Sequence, residues 1–155
     1  MNSIEPLYSM VLPGLFQGGT HDLDTLEFPK HYPIWDDKKT FDAVATLYAV
    51  AHPVGWGIAE RRFGFPDSAL DEKNVPEIIS IADWVHSEWK AGKRVLIRCA
   101  AGWNRSGLVT ALVLMKEGYG AQEAIELIRE KRSPNALCNQ DFVRWLVQYS
   151  TRKAS

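Results

Sequence analysis

Cysteine is scarce in this chain: Cys99 and Cys138 are the only two in 155 residues. A fold stapled by disulfides needs more, so the core must come from packing, and a reducing, cytoplasmic setting is the expectation. No stretch of eighteen apolar residues occurs, so no membrane-spanning helix is expected. Met1 to Pro6 holds neither a basic cluster nor an apolar run, and no secretory signal is read there. Charge of one sign is missing as well. Lys+Arg is 18 against 19 for Asp+Glu, a net charge of −1. A dedicated nucleic-acid or membrane-surface binder would carry a basic excess, so neither partner is expected. Repeats, low-complexity tracts and long charge blocks are absent. His21, His31, His52 and His86 are scattered without metal-ligand spacing, and no metal or other cofactor is expected.

What is present is an ordinary globular balance, 46% hydrophobic and 24% charged. A chain of this size buries roughly two-thirds of its unfolded surface, enough for one core, and residues 1–155 are read as a single domain. Residues 11–19 read as a short strand broken by turns at Pro13-Gly14 and Gly18-Gly19. Residues 28–40 read as loop. The apolar run Phe41–Val50 reads as a buried strand, His52–Gly57 as loop, and Ile58–Phe65 as another strand. A helix is predicted over 74–91, with Asn74 as cap, Glu77 completing a capping box, Pro76 in the first turn and Gly92 beyond the end. Arg94–Arg98 reads as a central strand. Ser106–Glu117, apolar nearly all round, reads as a buried helix stopped by Gly118. Ala121–Lys131 is amphipathic. Asn139 caps a last helix with Phe142, Trp145, Leu146 and Tyr149 on one face. The fold class is α/β, with a mostly parallel central sheet flanked by helices.

The chemistry is concentrated in residues 98–107, Arg-Cys-Ala-Ala-Gly-Trp-Asn-Arg-Ser-Gly. A cysteine ends a strand, five residues form a loop, and an arginine opens a buried helix. Loop N–H groups of Ala100, Ala101, Gly102, Trp103 and Asn104 and the helix N-terminus then converge on one point, an anion site. Gly102 lets the backbone turn. Arg105 can grip two phosphate oxygens in a bidentate fork. Cys99 lies beneath the anion, where a positive field favours thiolate over thiol and makes it a nucleophile towards phosphorus. The Ser106 hydroxyl can donate to that sulfur when it becomes the leaving group. A general acid for the leaving oxygen is also needed, and the same group can later serve as base for water. Asp67, in Phe63-Gly64-Phe65-Pro66-Asp67-Ser68, follows a predicted strand and is the first candidate. Asp71 is the second.

These residues resemble the cysteine-dependent protein phosphatase superfamily, most closely its small (atypical) dual-specificity branch. That family's signature is His-Cys-x2-Gly-x2-Arg-Ser followed by a helix, and Cys99, Gly102, Arg105 and Ser106 match it. Asp67, 32 residues upstream of Cys99, has the place of the family's catalytic acid. Leu12–Gly19 is similar to its first strand, and Arg132-Ser133-Pro134 with Asn139, Phe142 and Leu146 to its closing helix region. The resemblance implies a protein tyrosine phosphatase-like fold. It also implies a phosphocysteine mechanism on phosphorylated protein or peptide, at phosphotyrosine and phosphoserine or phosphothreonine. The sequence does not fix the oligomeric state, and a monomer is favoured. Arg98 departs from the pattern, standing where the family usually has His. It either supplies positive potential or points away as an ion-paired arginine. Trp103 either walls the pocket or packs, and Asn104 can order the loop through its amide. Arg61-Arg62 either greets an acidic substrate or forms a solvated strand face. Trp56 either rims the site or does not reach it, and Cys138 is either an inert packed thiol or a disulfide partner for Cys99. The alternatives in function are a phosphate-binding module without turnover, an RNA 5′-triphosphatase or phosphoinositide phosphatase, and rhodanese-type sulfur transfer. The uncharged loop interior lowers the phosphoinositide reading, and the net charge lends the RNA reading no support.

Overall fold

The computed structural model describes residues 5–20 and 41–154. The loop read over 28–40, with His21 and His31, therefore lies outside the described residues. The chain runs β1 (Tyr8–Leu12), β2 (Leu15–Gly18), β3 (Ala43–Thr46), β4 (Ala59–Arg62), α1 (Val75–Lys90), β5 (Val95–Arg98), α2 (Arg105–Lys116), α3 (Ala121–Lys131) and α4 (Gln140–Ala154). The described strands form one sheet in the order β1-β2-β5-β3-β4. β2, β5, β3 and β4 are parallel, as the sequence predicts.

The N-terminus differs from its expectation. Pro13-Gly14, with Gly14 at φ 84°, reverses the chain, so the expected single strand is a hairpin, with β1 antiparallel to β2. The Phe41–Val50 run is shorter as a strand. Only Ala43–Thr46 pairs, because Leu47 N–H bonds the Arg98 carbonyl and the chain then turns through Tyr48–Ala51. Ile58–Phe65 likewise contracts to β4.

β2, β3 and β5 are buried along their whole length. Helices cover one face, and Phe16, Phe41, Val44 and Leu96 form a second cluster that includes edge-to-face aromatic pairs. α1 buries Ile78, Ile81, Ala82 and Val85. Its capping box is not formed. A 3-10 turn over Glu72–Asn74 already begins the helix, capped by Asp71 through Lys73 N–H, while the Asn74 side chain makes no capping bond. Glu77 instead accepts from Arg61 at 2.8 Å. α2 is buried from Ser106 to Leu114 and forms the central helix. Asn139 does cap α4: its Oδ1 accepts from Phe142 N–H at 3.3 Å. Phe142, Trp145 and Leu146 are buried beneath, and Trp145 stacks on Tyr149. The carboxyl ends of the parallel strands, where open α/β sheets bind ligands, lead into the Cys99 loop.

Candidate active site

Cys99 follows β5 directly, and residues 100–104 turn back into α2. The scaffold takes every carbonyl on the outer side of this loop. Thr20 N–H donates to Ala100 O (2.9 Å), Arg132 Nη2 to Ala101 O (3.3 Å) and Leu137 N–H to Trp103 O (3.0 Å). Gly102 O receives both Gln17 Nε2 and Arg132 Nε, each at 3.1 Å. These peptides are trans. A trans peptide sets its N–H opposite its C=O, so the amides of Ala101 to Asn104 face the inner side. Together with the N-terminus of α2 they form a cradle of donors that can hold an anion. Cys99 lies buried at its base, with Sγ 3.3 Å from Ser106 Oγ.

Two glycine positions make this turn possible. Gly102 has φ 80°, and a Cβ on it would lie 2.4 Å from the Gly18 carbonyl carbon and from Gly19 N. A Cβ on Gly19 would lie 2.7 Å from Ala100 O. Gly18-Gly19, expected as a turn, is instead the floor on which the loop rests.

Sequence reasoning singled out neither Gln17 nor Arg132 as a loop support. Arg132 is buried and reaches the N-terminal segment too, donating from Nη1 to Pro6 O (2.7 Å) and Ser9 Oγ (3.2 Å). Burial pushes its guanidinium below the usual value, while negative charge on Glu5 and Cys99 opposes that shift. Glu5 completes the strap: it accepts from Ser133 Oγ and from Trp103 Nε1 (3.1 Å). Trp103 is half-buried, and its ring nitrogen is held by Glu5. The Ser133 hydrogen bond is the chief cause holding the Glu5 carboxyl below the ordinary 4.5; partial burial opposes it, and Trp103 and Arg132 assist. A depressed folded value contributes stability above the unfolded pKa and loses it as pH falls through the folded one. The stability difference between wild type and Glu5→Gln should therefore be constant above about pH 5.5 and vanish under more acidic conditions. Paired urea titrations across pH test this.

Asp67 is brought to the loop. Its Oδ2 accepts from Asn104 Nδ2 at 3.0 Å and its Oδ1 from Asn139 Nδ2 at 2.8 Å. Arg105 Nη1 donates to Phe65 O at 3.2 Å, tying the same segment to the start of α2. Arg105 Nε is buried with no hydrogen-bond partner, and its guanidinium lies over the Tyr48 ring, 5.4 Å from the centroid. Tyr48 is a further site residue that carries no local sequence signal. Asp71, the second acid candidate, is engaged in capping the 3-10 turn instead.

A family model described as dual specificity phosphatase, catalytic domain, matches residues 59–152. The chain belongs to that family. The fold agrees with this placement. Human DUSP28 superposes with a TM-score of 0.79 at 18% identity, covering 100% of both chains. The active form of Tk-PTP superposes with a TM-score of 0.62 at 30% identity, covering 72% of this chain and 80% of that one. In sequence, "Putative tyrosine phosphatase 123R" of Invertebrate iridescent virus 6 is 33% identical over 69 residues. That match takes in 42% of this chain and 46% of the viral protein, so the chain spans about half the length of this curated relative.

Against the family's usual His, Arg98 is the notable departure, and it is fully buried. Its Nε donates to Thr46 Oγ1 (3.0 Å) and its Nη2 to His52 O (2.6 Å), with Glu60 Oε2 at 3.4 Å. Of the two readings, the ion-paired one holds. Arg62 joins the same network, donating to Ala49 O, Ala51 O, His52 O and Glu60. Arg98 and Arg62 thereby hold the turn that carries Tyr48 against Arg105. Arg61 pairs with Glu77 on the exposed face of β4, so both arginines of the Arg61-Arg62 pair have carboxylate partners within the fold. Trp56 is 92% exposed and precedes Ala59, which is level with Val95 at the start of β5; it lies at the opposite edge from Cys99. Cys138 is exposed rather than packed, and its Sγ accepts from Asn104 Nδ2 at 3.4 Å. His86 pairs with Glu117 at 3.0 Å. Among the described residues no helix is long and apolar enough to cross a membrane.

Proposed function

We propose that this chain hydrolyses phosphomonoesters on phosphorylated proteins or peptides through a phosphocysteine intermediate. The observation that carries the reading is the outward turn of carbonyls 100–103 above a buried cysteine. It leaves an amide-lined cradle suited to an anion. The Cys99 thiolate attacks phosphorus in line, and the phosphorus–oxygen bond to the leaving group breaks. Asp67 gives that oxygen its proton. Arg105, through the unpartnered Nε and the fork beside it, and the loop amides hold the equatorial oxygens as charge shifts. Water then attacks the phosphocysteine, Asp67 takes a proton from it, and the phosphorus–sulfur bond breaks. Ser106 donates its hydroxyl hydrogen to the departing sulfur. No metal takes part in this scheme. The uncharged side chains of residues 100–104 favour phosphotyrosine, phosphoserine and phosphothreonine over polyphosphorylated lipids. A thiolate nucleophile suits the reducing cytoplasm.

The test is metal-free release of phosphate from p-nitrophenyl phosphate and from phosphopeptides. Wild type should turn over, and Asp67→Asn should be slower by about 10²–10⁴. A folded wild-type protein that binds phosphopeptide without releasing phosphate would overturn the reading in favour of a binding module.

A further inference from the structure

The two asparagines on Asp67 are held in one orientation by the backbone, and this has a catalytic consequence. An amide side chain has an oxygen end that accepts and a nitrogen end that donates, and its hydrogen-bond partners decide which end points where. Asn104 Oδ1 accepts from Asn139 N–H at 3.0 Å. Asn139 Oδ1 accepts from Phe142 N–H at 3.3 Å as the cap of α4. Each main-chain N–H requires an acceptor, so each amide must turn its NH2 the other way. Both NH2 groups then meet the Asp67 carboxylate, one on each oxygen. Their second hydrogens are also used: Asn104 donates to Cys138 Sγ and Asn139 to Ser68 O at 3.0 Å. Rotating either amide would set its oxygen against a carboxylate oxygen and strand a backbone donor.

Asn139 is 72 residues from Asp67 in sequence and is the cap immediately before α4, outside the nucleophile loop and the acid loop. Phe65 packs on Phe142, at 6.2 Å between ring centroids, so the acid loop is seated on α4 by both apolar and polar contacts.

We propose that Asn139, with Asn104, is a positioning residue for the general acid: the start of α4 fixes the Asp67 carboxyl at the distance and angle from which it protonates the leaving oxygen. This rests on the assignment of Asp67 as acid under the proposed function. A misplaced acid penalises poor leaving groups most, because a phenoxide of high basicity cannot depart unprotonated, whereas p-nitrophenoxide can.

The test is kcat/KM for an aryl phosphate series from p-nitrophenyl to phenyl phosphate, whose leaving phenol is near the tyrosine pKa of about 10. Asn139→Ser keeps a cap oxygen for Phe142 N–H but removes the donor to Asp67. It should lose about tenfold more activity on phenyl phosphate than on p-nitrophenyl phosphate. Asn139→Asp also keeps the cap but opposes two carboxylates, and should steepen the series further. Asp67→Asn is the reference. If Asp67→Asn steepens the series and both Asn139 variants leave its slope as in wild type, the positioning role is overturned and the acid assignment stands. If Asp67→Asn leaves the slope unchanged, the acid assignment itself fails, and the positioning role with it. A uniform loss across all substrates in the Asn139 variants, with the slope as in wild type, would likewise overturn the positioning role, since both variants keep the cap.

Discussion

In a Cys99→Ser variant, phosphate release should fall to background while binding of a phosphorylated ligand persists. The two effects separate because the site divides into a nucleophile and a cradle. A serine hydroxyl is far less acidic than a thiol, and among the described residues its hydrogen-bonding neighbour is the Ser106 hydroxyl, which is no base. The expected loss is on the order of 10⁶, the scale reached when an activated nucleophile is removed. The cradle does not depend on sulfur. Its amides face inward because Thr20, Gln17, Arg132 and Leu137 hold the carbonyls outward. Arg105 and the start of α2 are likewise untouched. The folding cost should be small as well, since the new hydroxyl would sit beside Ser106 Oγ, a partner already 3.3 Å from Sγ. Stoichiometric phosphate release and calorimetric titration with a phosphotyrosine peptide read the two halves. A Cys99→Ser protein that still turns over would sink the phosphocysteine mechanism. One that folds but no longer binds would mean that the cradle needs the thiolate to form.

Gly102→Ala should damage both the fold and the reaction. A left-handed backbone costs an L-residue about 1–2 kcal/mol by itself. The larger effect is contact, because the new Cβ would meet the backbone of Gly18 and Gly19 at 2.4 Å. Backbone cannot swing aside as a side-chain tip can, so the loop must lift from its floor. Lifting draws Gly102 O away from Gln17 and Arg132. A displacement of about 1 Å at such a site can cost roughly 10²-fold in rate. A total cost of about 2–4 kcal/mol would lower Tm by roughly 5–15 °C in a domain of this size. Gly92→Ala is the matched control. Gly92 has φ 93°, yet nothing lies within 4 Å of where its Cβ would be. It should show the backbone cost alone and full activity. Equal losses in the two variants would refute the view that the Gly18-Gly19 floor shapes the loop.

The sequence by itself determined the elements whose causes are local. The cysteine, five-residue loop and arginine stand next to one another in the chain, so the candidate site could be read from spacing. Helices α3 and α4 declared themselves through apolar periodicity, α2 through being apolar nearly all round, and Asn139 as a cap through its place before Phe142 and Trp145. Asp67 could be named as a candidate acid, because it follows a strand within one short loop. Local reading failed where a neighbouring element intervened. Asn74 lost its capping role to the 3-10 turn before it, and Pro13-Gly14 made a hairpin where one broken strand was expected.

Only the tertiary structure decided how the site is held. Gln17 is 85 residues from Gly102, and Arg132 is 126 residues from Pro6. Tyr48 stands over Arg105, Glu5 over Trp103, and Asn139 against Asp67, each brought there by sheet order and helix packing. The physical reason is that a hydrogen bond has no memory of sequence distance. A buried carbonyl or carboxylate must find a donor, and which donor is near depends on how the whole chain closes. Arg98 shows the same division. Its sequence position marked it as a departure from the family, but only the fold revealed that Thr46, His52 O and Glu60 surround it and that it braces the turn behind Tyr48.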